Sequence, residues 1–441
     1  MRLIRLVSFL CFVTVLCFSS CQKKENQILI VTKDSLRVSF WSGVDSVKIL
    51  TNDSWEISGS ESWLRILSPT SGIGNATVSF RYDVNLGWYG MRTATLLIKS
   101  AGRTVTFRII QDQSYLKASA TLLAGGGGSS QDEYNGPDGH LDGIGSEASF
   151  GSLRGLEVDN QGNLYVVDVK KVRKITPEGV VTTMPGLYPS PYNPTGPNDS
   201  WNNPGDVIVD KQGNMYVSDR NDNAIYKRTP SGVISLLAGG NAIPNPGFAD
   251  GNGASAKFNC PLTMVMDSQG NIIVNDELNY RIRRITPSGD VTTIAGQSWF
   301  GFTDGPRNFA SFHLIQSETV DSLDNVYVAD WGNSAVRKIT PDGTVKTLVS
   351  GRGAWDGPLL QATIEEPTAI AADKKGNVFV FDRGHKIRMI SAKGMVYTLD
   401  VNRNFGYCEN GLIVGPDNTL YIADQSHWRI YKITIDKMPE F

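Results

Sequence analysis

The sequence predicts an all-β protein: a β-sandwich, then a six-bladed β-propeller closed by an N-terminal strand. Three observations predict it. A string of about thirty residues recurs along the chain, each copy reads as several short strands, and the strand missing from the last copy stands ahead of the first. Residues 267–296, DSQGNIIVNDELNYRIRRITPSGDVTTIAG, show the unit. Apolar runs at 272–275, 282–285 and 291–294 are separated by turn-forming stretches, the pattern of an antiparallel meander. Copies begin at Asp159, Asp210, Asp267, Asp321, Asp373 and Gly415, with spacings of 51, 57, 54, 52 and 42 residues. One further apolar run precedes each copy, which makes four strands per unit and six units. The last unit ends near Ile435 without its outermost strand, and 120–125, ATLLAG, matches the outer strands SLLAG and TTIAG of other units. That N-terminal strand is expected to complete the sixth blade. Closing the ring then removes the exposed sheet faces.

In chain order, residues 1–20 are a targeting segment, with Arg2 and Arg5 ahead of an apolar stretch at 6–18 that is too short to span a bilayer. Ser19-Ser20-Cys21 followed by polar residues resembles a bacterial lipoprotein signal. The resemblance implies that residues 1–20 are cleaved, that Cys21 is lipidated, and that 21–27 tether the protein to a membrane of the cell envelope, with the outer membrane the expected one. Removing the segment takes two arginines and no acid from a net charge of -2, leaving -4. Cys260 and Cys408 remain at equivalent positions of units three and six, opposite each other in a six-fold ring, so no disulfide between them is expected.

Residues 28–113 carry alternating runs such as LRVSF, SVKIL, ATVSF and TVTFRI at sandwich-like spacing. The order Trp55-Glu-Ile, Ser62-Trp63-Leu64, Ser68-Pro-Thr-Ser-Gly72, then Arg92-Thr-Ala-Thr-Leu and Ile110-Gln111 resembles the BACON domain. That family is an immunoglobulin-like β-sandwich of Bacteroidetes surface and secreted proteins, for which carbohydrate or mucin binding is proposed. Trp55 and Trp63 alternate with polar residues and are expected in the core, whereas Trp41, Trp88 and Tyr89 sit near turns and are the candidate ligand platforms. A spacer role fits the domain equally well. Residues 114–118 are expected to be a short link.

The repeat Asp-x-x-Gly-Asn-Leu-Tyr-Val-x-Asp, with Ile-Arg-Arg-Ile-Thr-Pro-x-Gly after it, resembles the NHL repeat over residues 119–436. Connections carrying Asp250-Gly and Ala256-Lys-Phe258, echoed at Asp142, Asp304 and Asp356, share a second feature of that family. The pattern is specific for the fold and says little about function. In a four-stranded blade the tight Asp-x-x-Gly-Asn and Thr-Pro-x-Gly turns share one face of the disc. The second-to-third loops and the long connections share the other, where aromatic residues gather, and binding is expected there. The repeated Asp168, Asp219, Asp276, Asp330, Asp382 and Asp424 are expected to be structural, each accepting N–H bonds from the loop that follows it. Residues that break the repeat are the candidate ligand contacts: Arg220, Tyr280, Trp331, Arg383, His385, His427 and Trp428 in the loops, with Trp299 and Trp355 in the connections, where Tyr192 and Trp201 also break the pattern. The loop after Asp168 is two residues shorter than that after Asp276, which opens the face on that side.

Exposed rings suit sugar faces, because axial C–H groups stack on a π-surface while Arg, Asn and Asp bond the hydroxyls. The first reading is therefore a non-catalytic lipoprotein that binds glycan through this face, with no cofactor. The second is an enzyme. Some NHL proteins, such as the peptidyl-hydroxyglycine amidating lyase, hold zinc on histidines, and His385, His427 and His313 are the three that this chain could offer. No nucleophile elbow, phosphate loop or calcium loop accompanies them. A third reading is a scaffold for protein partners of the outer membrane. The acidic balance and the leader argue against nucleic acid.

Overall fold

A computed structural model describes residues 28–38, 40, 42–59, 61–85, 91–112, 115–126, 140–190, 193–240 and 246–436. Cys21, Trp41, Trp88, Tyr89 and Tyr192 lie outside the described residues. The chain divides into two compact units, one ending at Asp112 and the other starting from Gln113.

The first unit pairs two sheets over one core. One sheet runs in the order Leu29–Val31, Gly43–Thr51, Ala76–Tyr82, Leu64–Ile66. The other runs Ser35–Val38, Arg103–Gln111, Arg92–Ser100, Ser54–Ser58, Ser71–Ile73. Strict alternation, as in ATLLI of Arg92–Ser100, sends every second side chain inward. Val47, Ile49, Phe80, Leu96, Ile98, Phe107 and Ile109 from both sheets meet there with Trp55 and Trp63. Both tryptophans are core residues, and the Arg92 guanidinium lies 4.4 Å over the Trp63 ring.

The second unit is built from six consecutive sheets. The first five are meanders of four main strands, to which Gly143–Ile144, Gly251–Asn252 and Gly357–Pro358 add a two-residue strand in sheets one, three and five; their inner strands are Leu153–Val158, Pro204–Val209, Pro261–Met266, Ile315–Val320 and Ala369–Ala372. The sixth takes three strands from the C-terminal end, Leu412–Val414, Leu420–Asp424 and Arg429–Ile435. Its fourth is Tyr115–Gly125, antiparallel to Arg429–Ile435, with Ala120 opposite Ile433 and Leu122 opposite Tyr431. Each inner strand lies against the next, and that of sheet six returns to that of sheet one, so the sheets close into a ring. Apolar side chains fill the spaces between neighbours. Ala124 of the N-terminal strand, fully buried, joins Phe150, Leu156, Val166, Tyr421 and Ile430 in the core between sheets six and one.

The expected link at 114–118 is corrected. Residues Tyr115 to Ala118 are strand, paired in parallel with Thr398 to Val401 on the outer strand of sheet five. The N-terminal strand therefore begins at Tyr115 rather than at Ala120 and bridges the outer edges of two sheets. Only 120–125 matches the outer strands of other units, so the repeat gave no signal for the residues before it.

Candidate functional site

The repeated aspartates set the geometry of the loop-bearing face. Asp168, Asp219, Asp276, Asp330 and Asp424 are fully buried and Asp382 nearly so. Most of their N–H partners lie in the connection that precedes the sheet, not in the loop that follows: Gly151 and Ser152 for Asp168, Asn259 for Asp276, His313 for Asp330 and Gly406 for Asp424. Asp219 takes N–H bonds from both sides, Asn202 and Asn203 before and Asn221 and Asp222 after.

In four sheets a fully buried arginine of the third strand completes the arrangement. Arg283 Nη1 is 2.7 Å from Asp276 and Nη2 is 2.8 Å from Asp250 of the connection. Arg173 bridges Asp168 and Asp142, Arg337 bridges Asp330 and Asp304, and Arg388 bridges Asp382 and Asp356. The connection carboxylate then accepts the N–H and hydroxyl of an outer-strand threonine: Thr183, Thr293, Thr347 or Thr398. Burial raises the carboxyl of Asp330, while Asn333, the His313 N–H and the Arg337 guanidinium pull it back. For Asp304 burial acts upward too, but Thr347 and Arg337 outweigh it and leave the carboxyl below its ordinary range. Each clamp ties second, third and fourth strands to the incoming connection. Both Nη atoms of each guanidinium are bonded to carboxylates, while its buried Nε has no hydrogen-bond partner among the described residues, so the clamp is framework rather than site.

Around the ring axis the residue after each repeated aspartate differs: Val169, Arg220, Glu277, Trp331, Arg383 and Gln425. Arg220 reaches Glu277 of the next sheet at 3.2 Å, with the Cys260 thiol 3.1 Å from Arg220 Nε and 3.4 Å from Glu277. Burial raises the Cys260 thiol despite that guanidinium. Arg383 Nη1 meets both oxygens of Glu366 at 2.9 and 2.8 Å, and Gln425 bonds Ser152. Trp331, half-buried, stands in the sheet between these two guanidinium–carboxylate pairs.

Beyond Trp331 the connection 297–314 brings Phe300 between Tyr280 and the His313 ring, at 6.2 and 4.9 Å between centroids. Trp299, Phe300 and Trp355 are each more than half exposed. Phe302, also exposed, covers the Arg337 guanidinium at 4.9 Å. Sheets three to five thus present open rings beside charged groups. Tyr280, Trp331 and Arg383 stand in the loops of sheets three, four and five, and Trp299 in the connection between sheets three and four.

Other candidates are placed elsewhere. Trp428 has left-handed backbone, φ 52°, and packs on the core between sheets six and one. His427 stands three residues after Asp424, the place of Asn279 and Asn333 in sheets three and four. Like them it bonds its aspartate, Nδ1 to Oδ2 at 2.8 Å. His385 bonds the Gly406 carbonyl at 2.8 Å. Among the described residues no three His, Cys, Asp or Glu side chains converge to hold a metal, so His313, His385 and His427 do not form the zinc site they could have offered. Trp201 of a long connection is buried against Tyr226. Sequence reasoning passed over Arg173, Arg283, Arg337 and Arg388, although an arginine recurring at one register position of an apolar strand was the available signal.

No family model matches the chain. Teneurin-3 of Danio rerio is 25% identical over 346 residues, 65% of this chain and 12% of Teneurin-3. The chain therefore spans 12% of the length of that relative. A structural-genomics protein of unknown function from Bacteroides thetaiotaomicron superposes with TM-score 0.53 and 15% identity, covering 93% of this chain and 98% of that one. An auxiliary nutrient binding protein from the same organism gives TM-score 0.52 and 14% identity, with 94% and 99% covered. These likenesses support a β-propeller fold.

Proposed function

We propose that this chain is a non-catalytic binding protein of the cell envelope that takes glycan on the loop-bearing face of the ring, over sheets three to five. On this reading the ring is a six-bladed NHL-type propeller closed by its N-terminal strand. The first unit is an immunoglobulin-like sandwich of the BACON type, which spaces the ring from the membrane or adds contacts of its own through Trp41, Trp88 and Tyr89. Lipid on Cys21 anchors the protein, and outer-membrane proteins are its neighbours.

One observation carries the reading: Trp331 lies between the pairs Arg220–Glu277 and Arg383–Glu366, next to an arc of exposed rings. A pyranose lying flat on an indole buries its axial C–H face, and guanidinium and carboxylate groups at either side supply donors and acceptors for its hydroxyls. The printed name of one solved neighbour, auxiliary nutrient binding protein, is compatible with binding without catalysis.

The enzyme reading keeps one specific observation. Asp424 is fully buried and orients His427, whose side chain is 50% exposed, and that is a competent arrangement for proton transfer. Because the same bond is made by asparagine in sheets three and four, the structural role suffices.

The test is a glycan array with purified protein, wild type against Trp331→Ala and Arg383→Ala. Binding in the wild type that falls about tenfold or more in Trp331→Ala supports the proposal. Recovery of protein partners without any glycan signal would favour a scaffold instead.

A further inference from the structure

The axis of the ring holds acid groups that neither the clamps nor the binding face use. Glu157 comes from the inner strand of sheet one, Asp206 from sheet two and Glu318 from sheet four. Asp206 is 4% exposed and Glu318 5%. Asp206 accepts the N–H of Val207 and, from sheet three, that of Met264, both at 2.8 Å. Its remaining contact is the side-chain amide of Asn410, at the mouth of sheet six. The Asn410 carbonyl oxygen in turn accepts the Ser317 hydroxyl of sheet four at 2.6 Å. One asparagine, held in left-handed backbone at φ 52°, therefore ties alternate sheets two, four and six across the axis.

The charge around this tie is one-sided. Glu318 Oε2 accepts the Thr263 hydroxyl, and its Oε1 has no hydrogen-bond partner among the described residues. Among the described residues the Glu157 carboxyl receives the N–H of its neighbour Val158, at 2.9 Å. The charged groups that act on Glu157 are Asp206 and Asp159, and the one that acts on Glu318 is Asp206. No lysine, arginine or histidine is among them. Glu157 is half-buried, but Asp206 and Glu318 are almost fully so, and an ionised carboxylate at either has lost most of its hydration with no cation beside it, whereas a protonated carboxyl costs far less to bury.

We infer that the axis is a proton-binding site: a latch across the ring, held while Glu157, Asp206 and Glu318 carry protons and strained when they ionise, because the cost of burying like charges outweighs the stronger bonds that the N–H groups donated to Asp206 and the Thr263 hydroxyl donated to Glu318 then make. The direction of titration agrees. Burial is the largest cause in each case and pushes Glu157 to about 8, Asp206 to about 7 and Glu318 to about 8. These folded values lie above the ordinary carboxyl range, so the stability the groups confer is complete in acid and is lost as pH rises through 7 and 8.

Thermal unfolding of the full chain between pH 5.5 and 8.5 tests this, with Glu318→Gln, Asp206→Asn and the double variant beside the wild type. The wild-type melting temperature should fall by about 5 °C or more across that range. Each single variant should fall less, and the double variant least. Asparagine at 206 keeps the acceptor for the Met264 N–H but cannot ionise. If Asp206→Asn does not fold, Glu157→Gln with Glu318→Gln replaces it. Amide exchange at Met264 and Ile370, whose N–H groups bond Asp206 and Ser317, gives a second readout after correction for the intrinsic rate. Protection there should drop at least about tenfold from pH 6 to 8.5. Equal pH dependence in wild type and double variant, or unchanged protection, overturns the latch.

Discussion

At the scale of single residues, the buried arginines decide how the repeat is to be understood. A guanidinium with no exposed surface is tolerated because two carboxylates and a connection carbonyl surround it, as Arg337 finds in Asp330, Asp304 and Thr303. Removing one partner strands the others. Asp330→Ala should therefore cost about 3–5 kcal/mol by chemical denaturation, while Asp330→Asn with Arg337→Met should cost less than the single change. A matching loss in the double variant would mean that the pair acts independently of its charges. Sheets two and six carry Tyr226 and Tyr431 where the others carry this arginine. Trp331 belongs to the opposite category. It is half-exposed and outside every clamp, so Trp331→Ala should leave the melting temperature within about 2 °C while weakening ligand binding. These distinctions were only partly legible in the sequence. The aspartates were recognisable as structural because every unit has one, but their partners come from a connection up to eighteen residues upstream and an arginine five to seven downstream. Trp201, Trp428 and His427 broke the repeat and so looked functional. Their burial or pairing follows from how connections cross between sheets, which one unit read alone does not reveal.

At the scale of elements, the N-terminal strand is the piece on which the ring closes. Its second half pairs with Arg429–Ile435, and that pairing was readable because 120–125 copies the outer strand of other units. The first half, parallel to the outer strand of sheet five, was not readable, since no other unit has a counterpart. Ala124 has no exposed surface in the core between sheets six and one. Ala124→Asp buries an unpaired carboxylate there and should cost several kcal/mol, about 3 or more, with sheets six and one losing amide protection first. Uniform loss of protection around the ring would show that closure is not a local weak point. The connections explain the limits of the site reading in the same way. Their aromatic residues divide between core, as with Trp201, and open surface, as with Trp299 and Trp355. Composition alone cannot make that division, because both kinds sit among the same glycines and prolines.

At the scale of the whole molecule, six near-copies of one sheet produce a ring whose symmetry is broken where chemistry is wanted. The tight turns repeat, with Asp159, Asp210, Asp267, Asp321 and Asp373 each bonding the asparagine four residues on, immediately before the second strand. The positions around the mouth do not repeat: sheets three to five hold Trp331, the open rings and the Arg383–Glu366 pair, and a second pair joins Arg220 of sheet two to Glu277 of sheet three. A rigid frame with one variable arc is suited to holding a ligand without moving. The most direct measurement is a titration of the full chain with the strongest array hit, followed by calorimetry for wild type and Trp331→Ala at pH 6. Saturable binding that weakens about tenfold or more in the folded variant is the expected result. Wild-type affinity in Trp331→Ala, or a folded wild type that binds no glycan on the array, would contradict it.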